Sequence, residues 1–220
     1  MRFRAILLFG APGAGKGTQG KILGQIPNFV HFSSGDAFRG LRVDSPLGRV
    51  FVEHAAQGRL VPDEPTIELW RQSVQGLIAN GRFNPEADTL VLDGIPRNPN
   101  QARIMVDLID VKAIFNLFCP VLDKLVVRLQ RRALKENRLD DANVEVIRQR
   151  LETYRRETRA VLDCYPEEII HQVDSTQEPL HVLLDILRTL ARIPKPAVSD
   201  GATTYREPVP APSPLPAALA

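Results

Sequence analysis

Short apolar runs alternate along the chain with longer segments in which apolar residues recur every three or four positions. The short runs have the length and composition of buried strands, and they predict five strands at residues 5–9, 28–32, 89–92, 113–118 and 168–173. The longer segments predict helices that contain residues 21–23, 37–41 and 47–51 and helices over about 64–80, 98–109, 121–133, 144–165 and 179–193. Strands that alternate with helices predict an α/β fold with a doubly wound parallel sheet.

One helical segment shows the pattern of a buried face clearly. Over residues 64–80 the apolar positions that keep to one face are Ile67, Trp70, Val74, Leu77 and Ile78. We therefore predict that Trp70 lies in the core and is not a platform for a ligand.

The last 27 residues have a different composition. Residues 194–220 contain seven prolines and cannot build a core, so we predict a Pro/Ala-rich disordered tail after a domain at 1–193. Polyproline II character in its last dozen residues is compatible with either an inert tail or a ligand for a proline-binding domain.

Composition narrows the class of protein. The 220 residues are 44% hydrophobic, which suits one globular domain, and the net charge of +2 gives no general attraction to nucleic acid or membranes. Cys119 and Cys164 are too isolated for a disulfide scaffold or a paired-cysteine zinc site, and we predict that both are reduced core residues. The apolar run after Arg2 and Arg4 is too short for a signal peptide or a membrane span, so a cytoplasmic location is expected.

A glycine-rich stretch links the first predicted strand to the first predicted helix. Residues 10–18, GAPGAGKGT, place backbone N–H groups and a helix N-terminus at one point, and Lys16 adds a charge that can reach the outer phosphates of a nucleotide. The hydroxyl that normally follows the lysine comes one position later, at Thr18, because Gly17 intervenes. The stretch predicts a phosphate-binding loop.

Five segments in order resemble the signatures of adenylate kinases within the nucleoside monophosphate kinase family. They are GAPGAGKGTQ at 10–19, SSGDAFR at 33–39, GRLVPDE at 58–64, DGIPRNPNQ at 93–101 and RLDD at 138–141. The resemblance covers residues 3 to about 192. It implies a P-loop three-layer fold with a five-stranded parallel sheet, a small helical subdomain at 33–62 for the monophosphate, and a short lid at 131–141.

The resemblance also implies roles for individual residues. The catalytic set would be Lys16, Arg97, Arg132, Arg138 and Arg150. The ATP site would contain Gly13, Ala14, Gly15, Lys16, Gly17, Thr18 and Arg128, and the AMP site would contain Ser34, Arg39, Val61, Gly94, Arg97 and Gln101. Asp93 would position hydrated Mg²⁺, while Asp140 and Asp141 would orient the lid arginines.

These residue types suit transfer between two phosphates. An acceptor phosphate has a second pKa near ~6, so its oxygen is largely ionised at neutral pH and needs no general base. The obstacle is the repulsion between anionic groups and the negative charge of the transition state, which planar, permanently charged arginines offset. The arginines therefore matter more here than any carboxylate.

Two positions bear on the choice of monophosphate. Pyrimidine-specific members of the family typically carry Ala at the position of Ser34 and Asn at that of Gln101, so both residues favour AMP. The Gln101 amide offers a donor and an acceptor in one plane, which suits the adenine edge. Asn98, in contrast, is also found among pyrimidine kinases.

Three departures from the family pattern accompany these matches. Ile95 replaces an aromatic residue, Ser34 replaces the usual Thr, and residues 133–137, ALKEN, replace a glycine-containing lid tip. The short lid contains no Cys, so we expect no structural zinc. The four histidines lack the mutual spacing of a metal site; they are His31, His54, His171 and His181.

We thus predict reversible transfer from MgATP to AMP by a monomer whose partners are nucleotides, with no nucleic acid or membrane partner. A UMP/CMP kinase and a catalytically weak nucleotide-binding scaffold that uses the proline tail are the alternatives. A GTPase-like switch is disfavoured because no Asn-Lys-x-Asp stretch for reading guanine is present.

Overall fold

Five parallel strands form one sheet in the computed structural model, which describes residues 2–136, 138, 141 and 143–194. The strands are β1 Phe3–Phe9, β2 Phe29–Ser33, β3 Thr89–Asp93, β4 Ile109–Phe118 and β5 Ile170–Asp174. They are ordered β2-β3-β1-β4-β5, so β1 lies at the centre between β3 and β4. The predicted five-stranded parallel sheet is confirmed.

Helices cover both faces of this sheet. Among the described residues they are α1 Lys16–Leu23, α2 Ser34–Arg39, α3 Pro46–Ala56, α4 Asp63–Ala79, α5 Pro99–Met105, α6 Leu122–Glu136, α7 Val144–Thr153 and α8 Pro179–Leu190. A π-helical turn at Tyr154–Thr158 and 3₁₀ turns at Arg159–Cys164 and Glu167–Ile169 connect α7 to β5. No helix within the described ranges has both the length and the apolar character needed to cross a bilayer.

The core lies in two layers because successive side chains of each strand point to opposite faces. Leu7 of β1 packs with Trp70 of α4 and Met105 of α5 on one face. Leu8 packs with Leu125 of α6 on the other, together with α8. The prediction that Trp70 is a core residue is confirmed, since only 1% of its surface is exposed.

Two predicted helices differ from the observed ones. The helix expected to run to residue 109 ends at Met105, because Ile109 pairs with Phe3 in the sheet and the Phe3 N–H donates to the Leu108 carbonyl at 2.9 Å. The long helix expected over 144–165 is α7 followed by the π and 3₁₀ turns. Sheet pairing and local changes of helical pitch thus shorten both.

Other boundaries shift towards longer helices. Helix α1 begins at Lys16 and α2 at Ser34, earlier than predicted, and α6 continues three residues beyond 133 to Glu136. The first part of the segment expected to form the lid is therefore helical.

The prediction that both cysteines are core residues is wrong. Cys119 is half-buried and Cys164 is exposed, and both are free thiols. Cys164 is the last residue of the 3₁₀ turn Arg159–Cys164, and its side chain is exposed there. Asp140, Asn137 and residues 195–220 of the predicted tail lie outside the described residues.

Candidate active site

A cavity of about 770 Å³ opens at the carboxyl edge of the sheet, where β1 and β3 end side by side. This edge is where open parallel sheets bind ligands. The cavity is lined by every described residue that the sequence assigned to the catalytic set, to the two nucleotide sites or to Mg²⁺: Gly13, Ala14, Gly15, Lys16, Gly17, Thr18, Ser34, Arg39, Val61, Asp93, Gly94, Arg97, Gln101, Arg128, Arg132, Arg138 and Arg150. The structure therefore brings both groups of predicted residues to one space.

The loop between β1 and α1 requires glycine at two positions by geometry. Gly10 has a φ of 136°, and a Cβ there would lie 2.4 Å from the Leu117 carbonyl oxygen. Gly13 has a φ of 84°, and a Cβ there would approach α6 to 3.1 Å. Other L-residues are strained at these φ values, so the glycines allow the loop to pack against β4 and α6 while it turns into α1.

Lys16 lies at the first position of α1 and folds back over the loop. Its Nζ donates to the carbonyl oxygens of Gly10 at 2.7 Å and Ala11 at 3.1 Å. Burial lowers the pKa of the Lys16 amine to about 8, and the negative charge of Asp93 only partly opposes this. Three nearby guanidiniums contribute to the same lowering, those of Arg97, Arg132 and Arg150. An anionic phosphate in the cavity would raise this pKa and stabilise the charged amine.

Two of the predicted catalytic arginines share one buried carboxylate. Asp141 is fully buried, and its Oδ2 accepts from Arg132 Nε at 2.7 Å and lies 2.6 Å from Arg132 Nη2. Its Oδ1 accepts from Arg150 Nη1. The carboxylate thus fixes guanidiniums from α6 and α7 beside each other, as expected for Asp141, whereas Asp140 lies outside the described residues.

A second carboxylate joins the two sides of the cavity. Asp36 of α2 accepts from Arg39 at 2.6 Å and lies 3.4 Å from Arg138, which also pairs with Glu136 at 2.7 Å. Burial raises the pKa of Asp36, but the hydrogen bond and charge of Arg39 outweigh it and hold that pKa below its usual range. Sequence reasoning missed this role, although Asp36 lies inside the SSGDAFR segment, one helical turn before Arg39.

Another wall of the cavity is built around the end of β3. Ser34 Oγ and Arg97 Nε both donate to the Gly94 carbonyl, at 2.6 and 2.8 Å. Gln101 accepts from the Arg97 backbone N–H at 2.7 Å and donates from Nε2 to Asp63 Oδ1 at 2.9 Å. The structure therefore places the Gln101 amide in a hydrogen-bond network with Asp63. Sequence reasoning also missed this role of Asp63, although Asp63 lies inside the GRLVPDE segment.

Arg128 lies at a third part of the cavity. Its Nη1 donates to the Ser175 carbonyl, just beyond β5, at 2.9 Å. This contact fixes the guanidinium between α6 and the β5–α8 connection, and Arg128 also lines the cavity.

Asp93 gives the cavity a carboxylate next to the phosphate-binding loop. Only 8% of its surface is exposed, and a Cβ at Gly17 would lie 3.5 Å from its Oδ2. No cluster of three or more potential metal-ligating side chains occurs among the residues described. A single carboxylate beside a phosphate cradle fits Mg²⁺, which keeps several waters and takes its remaining ligands from few carboxylates and from substrate phosphates.

Together, the glycine loop after the first strand of a parallel sheet and the surrounding arginines define a P-loop phosphotransferase site. A model of the adenylate kinase family matches residues 8–170. An adenylate kinase from Cyanothece sp. is 36% identical over 189 residues, which is 82% of this chain and 92% of the relative. One from Synechococcus sp. is 34% identical over 200 residues, 84% of this chain and 98% of the relative. The chain belongs to the adenylate kinase family.

Proposed function

We propose that the chain catalyses reversible phosphoryl transfer from MgATP to AMP, giving two ADP. The observation that carries this proposal is that one cavity is lined both by the phosphate-binding loop and by the wall that contains Ser34, Arg97 and Gln101. Two nucleotides placed there would meet at their phosphates, which is the geometry that direct transfer requires.

The loop and the arginines of α6 and α7 form the donor side of the proposal. Backbone N–H groups of residues 13–18 and Lys16 would hold the ATP phosphates, and Arg128 would lie against the donor base. Arg132, Arg138 and Arg150 would stabilise the negative charge that spreads over the phosphoryl group in transit. Their fixed positions support this role because prepositioned charges need little reorganisation during the reaction.

The acceptor side needs charge but no proton acceptor. Arg39 and Arg97 would hold the AMP phosphate, with Ser34, Val61, Gly94 and Gln101 around the rest of the nucleotide. Since the acceptor phosphate is largely ionised at neutral pH, its oxygen can attack without a general base. Asp36 and Asp141 are engaged with arginines, which supports a positioning role for both.

Mg²⁺ would be held by Asp93 through water and would neutralise part of the phosphate charge. The position of Asp93 beside the loop supports this assignment. Monomeric state and a cytoplasmic location stay predictions.

Initial velocities with MgATP and each of AMP, GMP, CMP and UMP test the proposal. We expect ADP formation to be fastest with AMP. Lys16→Met and Arg97→Ala should each lose about 100-fold or more in kcat, since each removes a charge from the transferring phosphates. Arg155→Ala is a matched control for Arg97→Ala, because Arg155 lies outside the cavity with 56% of its side chain exposed. Faster turnover of UMP than AMP, or normal activity of Lys16→Met, would contradict the proposal.

A further inference from the structure

Asp63, the first residue of α4, gathers three side-chain amides from the start of α5. Its Oδ1 accepts from Asn98 Nδ2 at 2.7 Å and from Gln101 Nε2 at 2.9 Å, and its Oδ2 accepts from Asn100 Nδ2 at 2.7 Å. Burial raises the pKa of Asp63, yet the three amide hydrogen bonds outweigh it and keep that pKa below its usual range. The group is therefore an ionised carboxylate at neutral pH, able only to accept.

The neighbours of Gln101 fix which end of its amide points where. An ionised carboxylate accepts hydrogen bonds and a backbone N–H donates them, so Nε2 must face Asp63 and Oε1 must face the Arg97 N–H. Rotating the amide by half a turn would place two donors together and two acceptors together. Each end keeps one further hydrogen-bonding position, and Gln101 lines the cavity, so these positions are the ones that a ligand can use.

We propose that Asp63 is a positioning residue that locks the Gln101 amide and thereby makes the acceptor site select 6-aminopurine over 6-oxopurine monophosphates. This inference rests on the proposed function. Adenine presents an amino donor at C6 beside a ring-nitrogen acceptor, whereas a 6-oxopurine presents an acceptor at C6. An amide of fixed orientation matches the first pattern and leaves unpaired polar groups with the second, and such mismatches are costly in a buried site.

Asp63 also acts on the backbone of the same wall. Asn98 caps α5, because its Oδ1 accepts from the Gln101 N–H at 2.8 Å. Its Nδ2 points to Asp63, which fixes the Asn98 amide in the orientation that capping requires. Asp63 thus holds both Asn98, which caps α5, and the side chain of Gln101 in its first turn.

Asp63→Asn tests the lock, because an asparagine in that place can donate as well as accept and no longer dictates the Gln101 orientation. We expect the ratio of kcat/KM for AMP to that for IMP, which differs from AMP at the 6-position, to fall by about tenfold, the equivalent of one net hydrogen bond. The KM for AMP should rise while the KM for MgATP stays unchanged. Glu64→Gln makes the same chemical change at the neighbouring exposed residue and should leave the ratio as it is.

Asp63→Ser, which removes the carboxylate but keeps a small polar side chain at the first position of α4, is the second variant and should lower the ratio in the same way. An AMP/IMP ratio that is unchanged in a folded Asp63 variant would overturn the role of Asp63 while the function stands. A wild-type protein that does not phosphorylate AMP would overturn both the function and this inference, so the two failures are distinguishable.

Discussion

Replacing Asp141 by Asn should reveal how much the buried carboxylate contributes to the free energy of unfolding and to activity. The substitution keeps the shape of the side chain but removes the charge that faces Arg132 and Arg150. At about 4 Å between charge centres and an effective dielectric constant of about 20, one such pair contributes about 4 kcal/mol, so two give about 8 kcal/mol before desolvation.

The measured loss should be smaller than this gross attraction. Breaking a buried ion pair typically costs about 3–5 kcal/mol. Here the arginine side chains are 27% and 20% exposed, so water resolvates them in part when the charge of Asp141 is removed. We therefore expect the free energy of unfolding to fall by about 2–4 kcal/mol. Activity should fall about 100-fold in kcat, because both guanidiniums lose their common anchor.

Urea unfolding followed by fluorescence measures the stability change, since Trp70 is the only tryptophan in the sequence and is buried. The midpoint should shift at unchanged m-value. Asp44→Asn is the matched control: its partner Arg42 lies 2.7 Å away, but both side chains are more than half exposed, so no measurable change is expected. A loss below about 1 kcal/mol for Asp141→Asn would refute the view that this carboxylate compensates two buried charges.

The remaining predictions concern Lys16 and Trp70. Because burial lowers the pKa of Lys16 to about 8, kcat/KM for MgATP should fall tenfold per pH unit above about pH 8, measured as initial rates from pH 6 to 10; a plateau to pH 10 would contradict this. Between pH 8 and 10.5 the Lys16 amine is protonated in the unfolded chain but largely deprotonated in the folded one. The free energy of unfolding should therefore rise with pH over this range. Trp70→Ala should lower the free energy of unfolding, measured by calorimetry, by about 3–5 kcal/mol. Trp70→Phe should lower it much less, because phenylalanine lacks the buried indole Nε1–H, which has no hydrogen-bond acceptor among the described residues. Equal losses in the two variants would show that this buried donor does not matter.

The fold and the phosphate-binding loop were predictable because their signals are local. A strand, closely spaced glycines, a lysine and a helix follow one another within residues 3–23, and short apolar runs mark the other strands. The end of α5 was not predictable in the same way. Residues 106–109 were predicted to continue the helix, but Ile109 pairs with Phe3, which is a contact between distant parts of the chain.

The same distinction separates the site residues that the sequence found from those it missed. Lys16, Asp93, Arg39, Arg97 and Arg138 belong to contiguous motifs, and all of them line the cavity. Asp63 and Asp36 act through residues 38 and 102 positions away, respectively, so their partners are visible only in the folded chain. A carboxylate in a motif can be located from sequence, but the distant hydrogen-bond donor with which it pairs cannot.

The position of Asp36 has a thermodynamic consequence. One carboxylate pairs with both Arg39 and Arg138, so an anion that takes either arginine away from Asp36 changes the electrostatic interaction of Asp36 with the other. In the proposed function Arg39 holds the acceptor nucleotide and Arg138 the donor, and since linkage is reciprocal the two affinities would then depend on each other as long as this carboxylate is shared. Substituting it would uncouple two dissociation constants that evolution must otherwise adjust together.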